Sequence, residues 1–120
     1  MHIVSIILVA LVALIHVYIL VLEMFLWDKP TGLRTFGHNI ETATASKVLA
    51  ANQGLYNGFL AAGLFWGLYL GNAGIQITIF FLSCILVAGI YGGITAKRKI
   101  LYVQALPAAL GLLSVFAAYY

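Results

Sequence analysis

The stretch IVSIILVALVALIHVYILVL, Ile3 to Leu22, decides the fold. It carries no charge, and only Ser5, His16 and Tyr18 interrupt its apolar side chains. About 20 apolar residues in a helix cross the roughly 30 Å of hydrocarbon in a bilayer. The stretch therefore predicts a membrane-spanning helix. A secretory leader is the competing expectation, but its apolar segment is about 7–15 residues long and follows basic residues. Here the run is longer, no Lys or Arg precedes it, and Glu23 stands where small cleavage-site residues would be expected.

Working outward, the same test predicts spans over Ile3–Leu26, Val48–Leu70, Ile75–Ala96 and Ile100–Tyr119, within a single domain covering residues 1–120. Of the 120 residues, 64% are hydrophobic and 8% charged. Soluble domains carry about 25% charged residues, so lipid is the expected solvent. The net charge of +3 does not indicate a nucleic-acid partner, because the chain has only six Lys and Arg. They are Lys29, Arg34, Lys47 and the run Lys97-Arg98-Lys99.

These cations sit in the first and third connections between spans, whereas Gly71-Asn72-Ala73-Gly74 is uncharged. Cytoplasmic loops carry the Lys and Arg excess, so both termini are expected outside. Pro30 and Gly32 should stop the first helix. Leu33, Phe36 and Ile40 are spaced for a short interfacial helix in the longer first loop. Gly54 and Gly58, Gly63, Gly67 and Gly71, and Gly89 and Gly93 repeat every four residues. Such spacing lets helices approach closely in lipid, here within the chain, with a homodimer or higher oligomer also expected. The fold class that follows is an all-α, integral membrane four-helix bundle in a bacterial inner or plasma membrane.

Polar side chains within spans are costly and need partners or water. A carboxylate at a helix centre costs about 2.5–3.5 kcal/mol on insertion scales. Glu23, about one turn from the predicted cytoplasmic end, is the sharpest residue in the chain. It is read either as a structural carboxylate, paired with Lys47 or bonded to Asn52 and Tyr56, or as a group that holds a cation or carries a proton. His16 lies seven positions earlier on the same face, about 10 Å away along the axis. It is expected to be buried, or to act in a proton relay with Glu23 through Asn57. Asn52, Gln53, Tyr56 and Asn57 form two i, i+4 pairs, more polar groups than interhelical glue requires. Tyr91, Thr95, Tyr102 and Gln104 fall in the same leaflet, and Pro107 should free a carbonyl near Val103. Ligand- or proton-binding residues are therefore expected among Glu23, Asn52, Gln53, Tyr56, Asn57, His16, Tyr91 and Gln104, in a cup open to the cytoplasm.

No nucleophile–base set, phosphate loop or His/Cys metal spacing occurs, so no catalytic residue, metal or cofactor is expected, and an enzyme is the less favoured reading. The lone Cys84 is read as a small buried hydrophobe. Trp27, Phe36, Trp66 and Tyr69 suit interface anchors, and Trp27 could also wall the cup.

The segment Leu22-Glu23-Met24-Phe25-Leu26-Trp27 and the run from Lys47 to Leu64, with Asn52-Gln53-Gly54-Leu55-Tyr56-Asn57-Gly58 at its centre, resemble a bacterial group of small membrane proteins. It is the domain-of-unknown-function 1304 family, and the resemblance covers essentially the whole chain. It implies a four-span membrane protein and no settled activity. Small multidrug resistance transporters are similar in size, with one carboxylate in the first of four spans. Glu23 sits at the end of its helix instead, and their flanking motif is absent. DoxX-like four-helix proteins are also comparable in size, again without their motifs. Both likenesses are analogies of fold. The expected function is binding or transport of a small polar or cationic compound, with the lipid bilayer as surroundings. The alternatives are a membrane-embedded enzyme, a lipid- or quinone-binding accessory protein, or a purely structural membrane partner.

Overall fold

The computed structural model describes residues 1–120. All its regular elements are helical: α1 (Ile3–Phe25), α2 (Pro30–Phe36), α3 (Ile40–Leu70), a 3-10 turn (Gly71–Gly74), α4 (Ile75–Thr95), a π-helical turn (Leu101–Ala105) and α5 (Leu106–Tyr119). The all-α expectation holds. Three helical stretches, Ile3–Phe25, Ile40–Thr95 and Leu101–Tyr119, are long and apolar enough to cross a membrane.

The middle stretch, 56 residues long, folds back on itself. Gly71 has φ 61°, a left-handed conformation that glycine adopts without steric cost. Beyond it the backbones of Gly67 and Gly74 touch, since a Cβ on Gly74 would lie 2.1 Å from the Gly67 carbonyl oxygen. Gly63 then faces Phe81 and Gly67 faces Thr78, so α4 runs antiparallel to the end of α3. The reversal makes four helical legs out of three stretches.

The chain forms two compact units, Met1–Ile15 with Leu60–Tyr120, and His16–Phe59. In the first, Val9, Val12, Ala13, Leu64, Leu82, Ile85, Ala108 and Val115 form the core. Here α4 and α5 are antiparallel, with Gly89 against Ala105, Gly93 against Leu101 and Gly111 against Leu82. The glycine spacing thus serves packing within the chain. The Leu106 N–H donates to the Leu101 carbonyl, five residues back. Pro107, which has no N–H to offer, follows directly at the start of α5. At one end of this unit the His2 N–H donates to the Tyr119 hydroxyl, which donates to Asn72 Oδ1 at 3.5 Å. Both termini and the Gly71–Gly74 turn therefore meet at the same end, and Lys97–Lys99 lie at the other.

In the second unit, Pro30 opens α2 at its first turn instead of merely ending α1, and Gly37 closes it at φ 68°. A short helix is present in this loop, as expected, but Ile40 belongs to the next helix. α3 starts eight residues before the expected Val48, at Ile40. Asn39 Oδ1 accepts the Thr42 N–H at 2.8 Å, an N-cap that satisfies one of the orphan donors of the first turn. Outside the cores, large apolar side chains face outward, among them Ile7 (60% exposed), Leu14 (57%) and Val87 (67%). Such a surface suits hydrocarbon better than water.

Candidate functional site

Two glycines bring the site together. A Cβ on Gly54 would lie 2.7 Å from Met24 Cγ and 3.0 Å from Glu23 Cβ, and one on Gly58 would lie 2.7 Å from Leu20 Cδ1. Without those side chains, α1 and α3 approach closely enough for Glu23 to reach Asn57. The Asn57 Nδ2 group donates to Glu23 Oε1 at 2.5 Å and to the Gln53 backbone carbonyl at 3.3 Å. Asn57 is only 4% exposed, and Glu23 is half-buried.

The pairing of Glu23 with Lys47, one of the two sequence expectations, does not occur. Lys47 Nζ instead donates to Asp28 Oδ2 at 3.0 Å. That hydrogen bond holds the Asp28 carboxyl below the usual carboxylate range. Glu23 thus has an amide partner and no cationic one among its hydrogen bonds and ion pairs.

A second cluster stands beside this pair in the sequence. The Trp27 ring lies 4.7 Å from Phe36 and 4.3 Å from His38, and its Nε1–H donates to Ser46 Oγ at 3.1 Å. His38 Nε2 lies 3.2 Å from the Trp27 carbonyl. Gly32 permits this arrangement, since a Cβ there would fall 1.9 Å from the Leu26 carbonyl oxygen. Trp27 is thereby fixed in a packed aromatic cluster.

The other expected site residues are dispersed. Asn52, Gln53 and Tyr56 are exposed on α3, and Tyr56 meets Phe59 edge-on at 5.8 Å. Gln53 contributes its backbone carbonyl to Asn57, while its side chain faces outward. His16 is fully buried. Tyr91 and Gln104 belong to the first unit. There Tyr91 lines an open apolar groove along α4 with Phe80, Ser83, Cys84, Val87 and Ala88. Gln104 is partly buried within the π-helical turn. Sequence reasoning missed His38, Asn39 and Ser46. Asn39 carried a legible signal, an Asn just ahead of an acidic residue in a first helical turn, whereas nothing local marked His38 or Ser46 as partners of Trp27.

Chemically, the arrangement is one carboxyl and one buried amide held between two apolar helices, able to bind hydrogen-bonding solutes or to exchange a proton. The class so defined is a small all-helical protein, suited to a membrane, with a polar pair at a glycine-lined helix crossing. The chain belongs to the family described as protein of unknown function (DUF1304), which matches it over residues 10–116. It is 37% identical over 118 residues to the uncharacterized protein YpaA of Lactococcus lactis subsp. lactis, covering 97% of this chain and 99% of that relative. No solved structure matches it.

Proposed function

We propose that this protein spans the cell membrane four times and binds or transports a small polar or cationic compound at Glu23 and Asn57. The observation that carries this reading is the buried amide of Asn57 held against the Glu23 carboxyl. An ionisable group in a membrane helix is costly and usually marks a path for substrates, ions or protons. Here no basic side chain neutralises it, which speaks against a purely structural ion pair.

The expected orientation has both termini outside and the cations of Lys29, Arg34, Lys47 and Lys97–Lys99 in the cytoplasm, which directs the site inward. Two features of the first unit support it: the termini share an end with the uncharged Gly71–Gly74 turn, and the three-cation run lies opposite. Transport requires access from both sides, which a homodimer or higher oligomer would provide. The test is flux of small amines and polar solutes into proteoliposomes. Glu23→Gln should abolish flux, and unchanged flux in that variant would sink the mechanism.

The exposed Asn52, Gln53 and Tyr56 favour a second reading, a structural partner of another membrane protein. Under that reading, alanine at Asn52 and Gln53 alters assembly in cross-linking experiments and leaves solute flux at the level of empty vesicles.

A further inference from the structure

We infer that the compound taken by this site is an organic cation bearing N–H donors, a primary ammonium or guanidinium group. The inference rests on the preceding reading that Glu23 and Asn57 bind a solute, and it names the chemical class of that solute. The starting point is the orientation of the Asn57 amide. Both of its N–H groups are committed, one to Glu23 Oε1 at 2.5 Å and one to the Gln53 carbonyl at 3.3 Å. Rotating the amide by half a turn would set its oxygen against two other oxygens, so the orientation is fixed by its surroundings.

With Glu23 ionised, what remains open at the pair is then entirely acceptor. Asn57 Oδ1 and the second Glu23 carboxylate oxygen take no hydrogen bond within the chain. The nearest cation along α3, Lys47, is engaged with Asp28 at 3.0 Å. An anionic or carbonyl-bearing ligand would find no donor at the pair. A metal ion of the hard type seeks about six oxygens, and the pair offers two.

A quaternary ammonium has the right charge but no N–H group, and it is held by open aromatic faces. In this unit Phe36 and His38 are stacked at 6.0 Å, and Trp27 lies tilted against both, at 4.7 Å and 4.3 Å, so these rings are engaged with one another. A primary ammonium, with three N–H donors, or a guanidinium, with five, satisfies both free oxygens while neutralising the carboxylate.

The experiment compares three probes with the same four-carbon chain: butylammonium, butyltrimethylammonium and butyrate. Each is titrated calorimetrically into the full-length protein in lipid nanodiscs. Butylammonium should bind, and Glu23→Gln, which retains an oxygen to accept from Asn57, should weaken it at least about tenfold. Asn57→Leu should weaken it as well. Asn57→Ala, which also removes the acceptor oxygen, serves if the leucine variant does not fold, and should weaken binding likewise. Butyltrimethylammonium should bind at least about ten times more weakly than butylammonium, and butyrate should not bind. Equal binding of the trimethylated probe, or Glu23-dependent binding of butyrate, overturns the ligand class and leaves the solute site standing. Binding of all three probes unchanged by Glu23→Gln, or no binding of any, overturns the solute site and the class together.

Discussion

Asn57 occupies the position where one atom changes the most. Replacing it with leucine keeps the bulk but removes both donors, leaving a half-buried carboxyl with no amide partner. Hydrogen bonds to charged groups are worth about 1.5–3 kcal/mol, so Asn57→Leu should lower stability by about that amount, read as the thermal midpoint in detergent. Asn57→Asp should be worse, because it sets two carboxyls within hydrogen-bond distance. Ser5 carries the opposite expectation. Its hydroxyl is fully buried without a hydrogen-bond partner. Removing an unsatisfied polar group is neutral or favourable, so Ser5→Ala should leave the midpoint unchanged or raise it. The Asp28–Lys47 pair gives a pH signature. Its folded-state carboxyl is held below the ordinary value, so its contribution is fully present above about pH 3.9. It is lost as pH falls through the lower folded value. Thermal midpoints recorded down to acid pH should converge for the native protein and Asp28→Asn, and differ slightly at neutral pH, since such exposed pairs contribute little.

At the scale of elements, glycines set the distances. Gly89→Ala places a methyl 2.6 Å from the Ala105 nitrogen and 2.9 Å from its Cα. Backbone cannot swing aside, so α4 and the π-helical turn must separate. The expected loss is about 1–3 kcal/mol, as for other overpacked cores. Gly54→Leu should divide α1 from α3 and break the Glu23–Asn57 bond. The check is solute binding together with stability, and a variant that folds should lose binding. Asn39→Ala removes the cap of α3 at a cost of about 1 kcal/mol. The elements themselves were largely legible, because an uninterrupted apolar run has few alternatives to a helix. The start of α3 was not. Its first turns, Glu41 to Lys47, are polar and read as loop, and only the Asn39 cap and the back-bonds of Thr44 and Ser46 to the carbonyls four residues earlier show them helical.

For the whole molecule, the decisive measurement is sidedness. In a variant lacking Cys84, a cysteine at Asn72 should react with a membrane-impermeant thiol reagent added outside intact cells. A cysteine at Arg98 should react only after permeabilisation. Identical labelling at the two positions would refute the proposed orientation, since the two lie at opposite ends of the first compact unit.

By itself the sequence determined the helical, lipid-suited character of the chain, its reversal near Gly71, and Glu23 as the polar residue to watch. Each follows from local chemistry: apolar length, glycine conformation and the cost of a carboxyl among aliphatic side chains. Only the tertiary structure decided that Asn57, out of four neighbouring polar residues, is the one that meets Glu23, and that Lys47 turns to Asp28 instead. The period of a helix limits which residues share a face, but partner choice depends on the rotation of two helices about their axes. Gly54 and Gly58 set that rotation by admitting α1 to one side of α3 and leaving Asn52, Gln53 and Tyr56 on the other.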